Sequence, residues 1–148
     1  MKKPFALYVL IFLLVFLALG GIYGGLSMLI DPSGNSLQVA EILPLLPVSD
    51  FILPGIFLLL VMGFAPIFLA YALLVRLDWA WANMLSRWSN HYWAWLGTIG
   101  LGVILALWLV VEGLMIGFHW PIQYITAVNG LLILLFALVP SVRGYYSE

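Results

Sequence analysis

From Phe5 to Ile30 the chain carries no charged side chain, and the same holds from Phe51 to Val75 and from Ile122 to Val139. A fourth run, Trp93 to Phe118, carries a single one, Glu112. Each run is long enough at about 1.5 Å per residue to cross, or nearly cross, a hydrocarbon core of about 30 Å. Four such runs restrict the chain to helices that satisfy their own backbone in lipid. The predicted fold is therefore all-α, an integral membrane four-helix antiparallel bundle in one domain. Its spans are about 5–30, 51–75, 93–118 and 122–139, with both termini on the same side.

Composition agrees. The chain has 148 residues, 66% hydrophobic and 7% charged, where a soluble domain is about 25% charged. Net charge is −1, so no field draws nucleic acid. Cysteine is absent, which excludes disulfides, thiolate metal sites and Cys nucleophiles. Met1-Lys2-Lys3 and the apolar residues after it imitate a secretory signal. The run continues past the roughly 7–15 residues of such a signal, so it reads as a retained first span.

Lys2, Lys3, Arg76, Arg87 and Arg143 all fall on one side of a four-span topology, whereas Asp31, Glu41, Asp50 and His119 fall on the other. The positive-inside rule then predicts a multi-pass protein of the cell membrane with both termini cytoplasmic. The connections suggest short interfacial helices in 31–50 and 76–91. In the second, Leu77, Trp81, Met84, Leu85 and Trp88 repeat at helical spacing, and tryptophans gather between Trp79 and Trp95 as an interfacial belt. Pro66 beside Gly63 predicts a kink in the second span. The polar tail from Ser141 reads as frayed.

Gly20-Gly21-Ile22-Tyr23-Gly24-Gly25-Leu26-Ser27-Met28-Leu29-Ile30-Asp31-Pro32-Ser33-Gly34-Asn35-Ser36-Leu37, followed by Phe51-Ile52-Leu53-Pro54-Gly55, resembles small four-span bacterial membrane proteins of unknown function. The resemblance covers most of the chain. It rests on turn and packing motifs, so it implies the architecture and imports no chemistry.

Small residues four apart let helix backbones approach in lipid. Gly20, Gly21, Gly24 and Gly25 are expected to pack on another helix, with Gly113 and Gly117 of the third span at the matching depth. An alternative is a face for dimerisation. Chemistry concentrates on Glu112, about 9 Å from the end of its span, because an acid in the membrane needs a partner, a proton or a purpose. Tyr23, Thr126 and Asn129 lie at similar depth, Gln123 continues the stripe of the fourth span, and His119 could cover the group from outside. Glu112, Tyr23, Thr126, Asn129, Gln123 and His119 are thus the candidate ligand-binding residues.

Ligand spacing for a metal is missing, as is a phosphate loop, and no residue is assigned as catalytic or to a cofactor. His119 with Glu41, Asp31 and Asp50 is the only conceivable outer metal cluster. Three readings stay open. One is a non-enzymatic module or accessory subunit, partnered by the lipid bilayer and by a membrane protein or a second copy. Another is a binder or carrier of an apolar small molecule or lipid that uses an outer-leaflet polar cluster around Glu112. The last is a membrane-embedded enzyme with Glu112 as acid or base.

Overall fold

The computed structural model describes residues 2–147. Four helices are long and apolar enough to cross a membrane: α1 (Phe5–Ile30), α2 (Ile52–Val75), α4 (Trp93–Ile116) and α5 (Pro121–Leu138). Two short helices complete the set, α3 (Ala80–Ser86) and α6 (Pro140–Tyr145). α1 lies between α2 and α5, and α4 packs on α5 and on the Ala65–Val75 half of α2. Local sequence stops each helix. Arg76 ends α2 in the left-handed region at φ 52°, and Gly117 ends α4 at φ 73°. Pro121 opens α5 at a position where its missing N–H costs nothing. Pro140 bars its predecessor Val139 from the helical region, so α5 stops there.

Leu7, Leu10 and Leu14 of α1 are fully buried with Leu73 of α2, Leu105 of α4 and Ile133 of α5. The outward side chains are equally apolar, among them Phe12, Leu60, Leu107 and Leu131. A surface of that kind suits hydrocarbon as its solvent.

The tightest helix pair is α1 with α2. A Cβ on Gly21 would sit 2.3 Å from the Met62 carbonyl carbon and oxygen, and one on Gly25 would sit 2.7 Å from the Leu59 nitrogen. Gly55 and Gly63 answer from α2, where a Cβ would meet Met28 and Ile22 at 2.9 Å. Backbone therefore lies on backbone. The expected partner region, Gly113 and Gly117 of α4, is not the one used. Gly113 is covered by the Phe118 ring and Gly117 by the His119 ring. Gly24 meets only a Leu58 methyl at 3.5 Å, and Gly20 meets nothing within 4 Å.

The α2 segment Leu58–Phe64 is wound as a π-helix, one residue wider per turn. Pro66 follows directly and is buried. Its ring would strike the carbonyl four residues back, at Met62, and the widened turn makes room there. The disturbance expected at Gly63 and Pro66 includes a change of winding.

The first connection is wound more tightly than an α-helix, whereas the second holds the short α-helix α3. Residues 35–45 form two 3-10 turns, Asn35–Leu37 and Ala40–Leu45. Phe51 is buried against Gly34, and its N–H donates to the Pro32 carbonyl at 2.9 Å. In α3, Ala82 and Ser86 face the bundle while Trp81, Met84 and Leu85 point outward, followed by exposed Trp88.

Residues 141–147 are ordered, against the expectation that the tail frays. α6 buries Val142 and Tyr145, and Tyr146 after it is fully buried. His91 and Ser147 form an antiparallel bridge. All five Lys and Arg residues lie at one end of the bundle, the basic end, together with the start of α1 and the end of α6.

Candidate functional site

Gln123 stands two residues after Pro121, which starts α5 and directs the glutamine back toward the α4–α5 connection. It is only 3% exposed. Its Oε1 accepts from the backbone N–H of His119 at 2.8 Å and of Trp120 at 3.0 Å. Its Nε2 donates to the Gly117 carbonyl at 2.9 Å and to Glu112 Oε1 at 3.2 Å. The amide is fully used. Glu112 is partly buried and is held to the neighbouring helix through this single glutamine. Trp108, one turn earlier, stacks on Phe57 with centroids 4.3 Å apart and fills the space between α2 and α4.

The remaining candidates are placed apart from Glu112. Tyr23 is 69% exposed on the outer face of α1, where its carbonyl accepts from the Ser27 hydroxyl at 2.7 Å. Asn129 is 5% exposed and turns toward α1, where its Nδ2 donates to the Leu13 carbonyl at 3.4 Å. Its Oδ1 is buried without a hydrogen-bond partner among the described residues. Thr126 is half-buried between these levels. His119 joins the Gln123 group through its backbone, while its ring lies against Trp120 at 5.9 Å and over Gly117. The structure therefore unites Glu112, Gln123 and the His119 backbone, and leaves Tyr23, Thr126 and Asn129 outside. Among the described residues no three His, Asp or Glu side chains converge on a metal position, and Asp31 instead organises its own loop. Its carboxylate accepts from the Ser33 hydroxyl and from the N–H of Ser33 and Ser36. The Ser33 hydroxyl first, then the Ser36 N–H, holds the Asp31 carboxyl below its usual range.

A second polar assembly, at the basic end, escaped sequence reasoning. The Arg76 guanidinium lies 5.0, 5.4 and 5.8 Å from the ring centroids of Tyr145, Tyr146 and Tyr92, and its Nη2 donates to the Tyr145 carbonyl at 2.8 Å. The Tyr92 hydroxyl donates to the Leu77 carbonyl at 2.7 Å, with the Ala72 carbonyl also in reach at 3.0 Å, and the Tyr146 hydroxyl donates to that of Leu73. Leu73 lies in the last turn of α2, where a helix leaves carbonyls short of partners, and Tyr146 caps it; Tyr92 adds to carbonyls that the Arg76 and Leu77 N–H groups (Ala72) and the Trp93 indole (Leu77) already bond. Burial pushes the Tyr146 phenol well above its usual range, and neighbouring Tyr145 adds to the shift. The available signal was an arginine at the end of one apolar run with tyrosines just outside two others.

Comparison with known protein families, curated proteins and solved structures returns no match. The four apolar helices identify a small multi-pass membrane protein.

Proposed function

We propose that this protein is a non-enzymatic module or accessory subunit of the cell membrane that offers its helix faces to partner helices. The carrying observation is the bonding around Glu112. The acid best placed for chemistry is tied to a glutamine whose amide is spent on the chain's own backbone. Its role is then to hold α4 against α5, as interhelical polar pairs do in lipid. Open faces support the same reading. Gly20 of α1 and Gly100 of α4 have nothing within 4 Å of a built Cβ, and Val103 and Leu107 are exposed beside Gly100. A membrane protein partner or a second copy would meet those faces. A photo-crosslinking residue at position 100 in cells tests this, and the expected product is one defined protein adduct. Crosslinks to lipid alone, together with a phenotype lost in Glu112→Gln, would sink it.

The orientation reading places both termini in the cytoplasm, supported by the five cations at one end. Because the chain has no cysteine, single introduced cysteines report directly. Asp31→Cys and His119→Cys are expected to react with an impermeant thiol reagent in intact cells. Labelling of Arg87→Cys from outside contradicts the orientation.

One observation favours the second reading, a binder of an apolar small molecule or lipid. The buried Asn129 Oδ1 lacks a donor among the described residues, and a ligand with a hydroxyl or amide would supply it. Asn129→Leu discriminates: it should leave stability close to that of the parent if the carbonyl is only an unsatisfied group, and should abolish retention of a copurified ligand if it is a contact.

A further inference from the structure

We propose that the hollow between α6 and the chain just before α4 binds the phosphate of an anionic phospholipid from the leaflet at the basic end. The hollow measures about 340 Å³ and is lined by His91, Leu138, Pro140, Arg143, Gly144 and Ser147. Among the described residues that line it there is no Asp or Glu. Arg143 is exposed in the last turn of α6 and has no ion-pair partner among the described residues. A guanidinium presents a planar fork of N–H groups that matches phosphate oxygens. Gly144 beside it opens the floor, because a Cβ there would meet nothing within 4 Å.

The opposite wall is fixed. The His91 ring stacks on Trp95 with centroids 4.6 Å apart, and its Nδ1 lies 2.7 Å from the Ser89 carbonyl. A carbonyl only accepts, so Nδ1 carries the proton and the ring is locked. The His91–Ser147 bridge sets the width of the hollow.

An apolar track leaves this polar hollow. Leu138 lines it, and Leu135 and Leu131, one and two turns back along α5, are exposed on nearly the same face. A headgroup phosphate on Arg143 therefore places an acyl chain along α5. That continuity selects a lipid over a free phosphate as the source of the anion. A second hollow, lined by Asn83, Ser86, Arg87 and Asn90, also holds one arginine. There Asn83 is bonded to the Asp78 carboxylate, which brings a negative charge alongside. It serves as the internal control.

The test uses the full chain in detergent with equimolar phosphatidylglycerol and phosphatidylcholine, counting retained lipid by native mass spectrometry. The expected result is one phosphatidylglycerol kept in preference by about fivefold, the scale of one arginine at a membrane surface. Arg143→Gln and Gly144→Leu should each bring the ratio to parity, and Arg87→Gln should leave it unchanged. Gly144→Leu removes no charge, so it decides alone if Arg143→Gln does not fold. Parity in the parent protein overturns the proposal, as does an equal loss in Arg87→Gln, which would mean diffuse attraction. Displacement by inorganic phosphate at the lipid's own concentration would assign the site to free phosphate and overturn the lipid.

Discussion

Gln123 satisfies four hydrogen bonds at the one place where the chain leaves α4 and re-enters α5. Replacing it by Leu would strand two backbone N–H groups and one carbonyl, and would take one donor from the Glu112 carboxyl. At about 1–3 kcal/mol for each unsatisfied buried group, partly relieved by water at the membrane edge, a loss of about 3 kcal/mol is expected. Glu112→Gln keeps an acceptor carbonyl in the same place, so its thermal midpoint in detergent should stay close to the parent's. A large loss in Glu112→Gln with a small one in Gln123→Leu would reverse their ranking and refute the glue reading. Asp31 gives a pH signature. Its folded pKa lies below the ordinary 3.8, so its stabilising contribution is complete above the unfolded value. The contribution fades as pH falls through the lowered value. Stability measured against pH should drop in acid for the parent and stay flatter for Asp31→Asn. Tyr146 has the opposite sign. Its folded pKa is raised, so its contribution is whole below the unfolded value of 10.0 and is lost as pH rises beyond it. Tyrosinate absorbance should show this phenol resisting ionisation until the tail comes free, with the lag gone in Tyr146→Phe.

At the scale of the helices, the α1–α2 contact makes the sharpest distinction between neighbouring glycines. Gly21→Ala drives a Cβ into Met62 backbone that cannot step aside, and overpacking of this kind costs about 1–3 kcal/mol. Gly20→Ala meets open space and should be neutral, or stabilising by up to about 1 kcal/mol through lower backbone freedom. Equal midpoints for the two variants would mean the helices do not cross where described. The existence and ends of the spans were readable from Phe5, Val75 and Trp93, because charge and proline punctuate long apolar runs. The faces were not. In water, the apolar stripe of a helix marks its inner side. In lipid, Leu19 outside and Leu17 inside are chemically alike, so periodicity carries no rotation. That is why Tyr23 and Asn129, matched to Glu112 by depth, turn to other directions. It is also why Gln123, the residue most tightly bonded to Glu112, was one candidate among six. The π-wound turn at Leu58–Phe64 was legible only as Gly63 and Pro66, which announce a disturbance without its kind.

For the whole molecule, the two ends of the bundle are closed by different means. A glutamine knots the α4–α5 turn at one end. At the other, the last residues fold over Arg76 and cap the end of α2. Removing residues 140–148 should uncover the Leu73 carbonyl and the Arg76 guanidinium and loosen α2 from α4, with faster hydrogen exchange at the end of α2 and a lower thermal midpoint. Unchanged exchange there would show that the tail merely rests on the bundle. The closure also imposes an order on synthesis. A chain is made from its N-terminus, so Arg76 and Tyr92 are in the membrane well before Tyr145 and Tyr146 have been polymerised. Until then the Leu73 carbonyl lacks its tyrosine cap and the Arg76 guanidinium lacks the Tyr145 carbonyl, so this end of α2 closes only after α5 has been made. Tyr145 and Tyr146 thus act as a late latch, and a bulky insertion beside them would crowd the segment on which that latch depends.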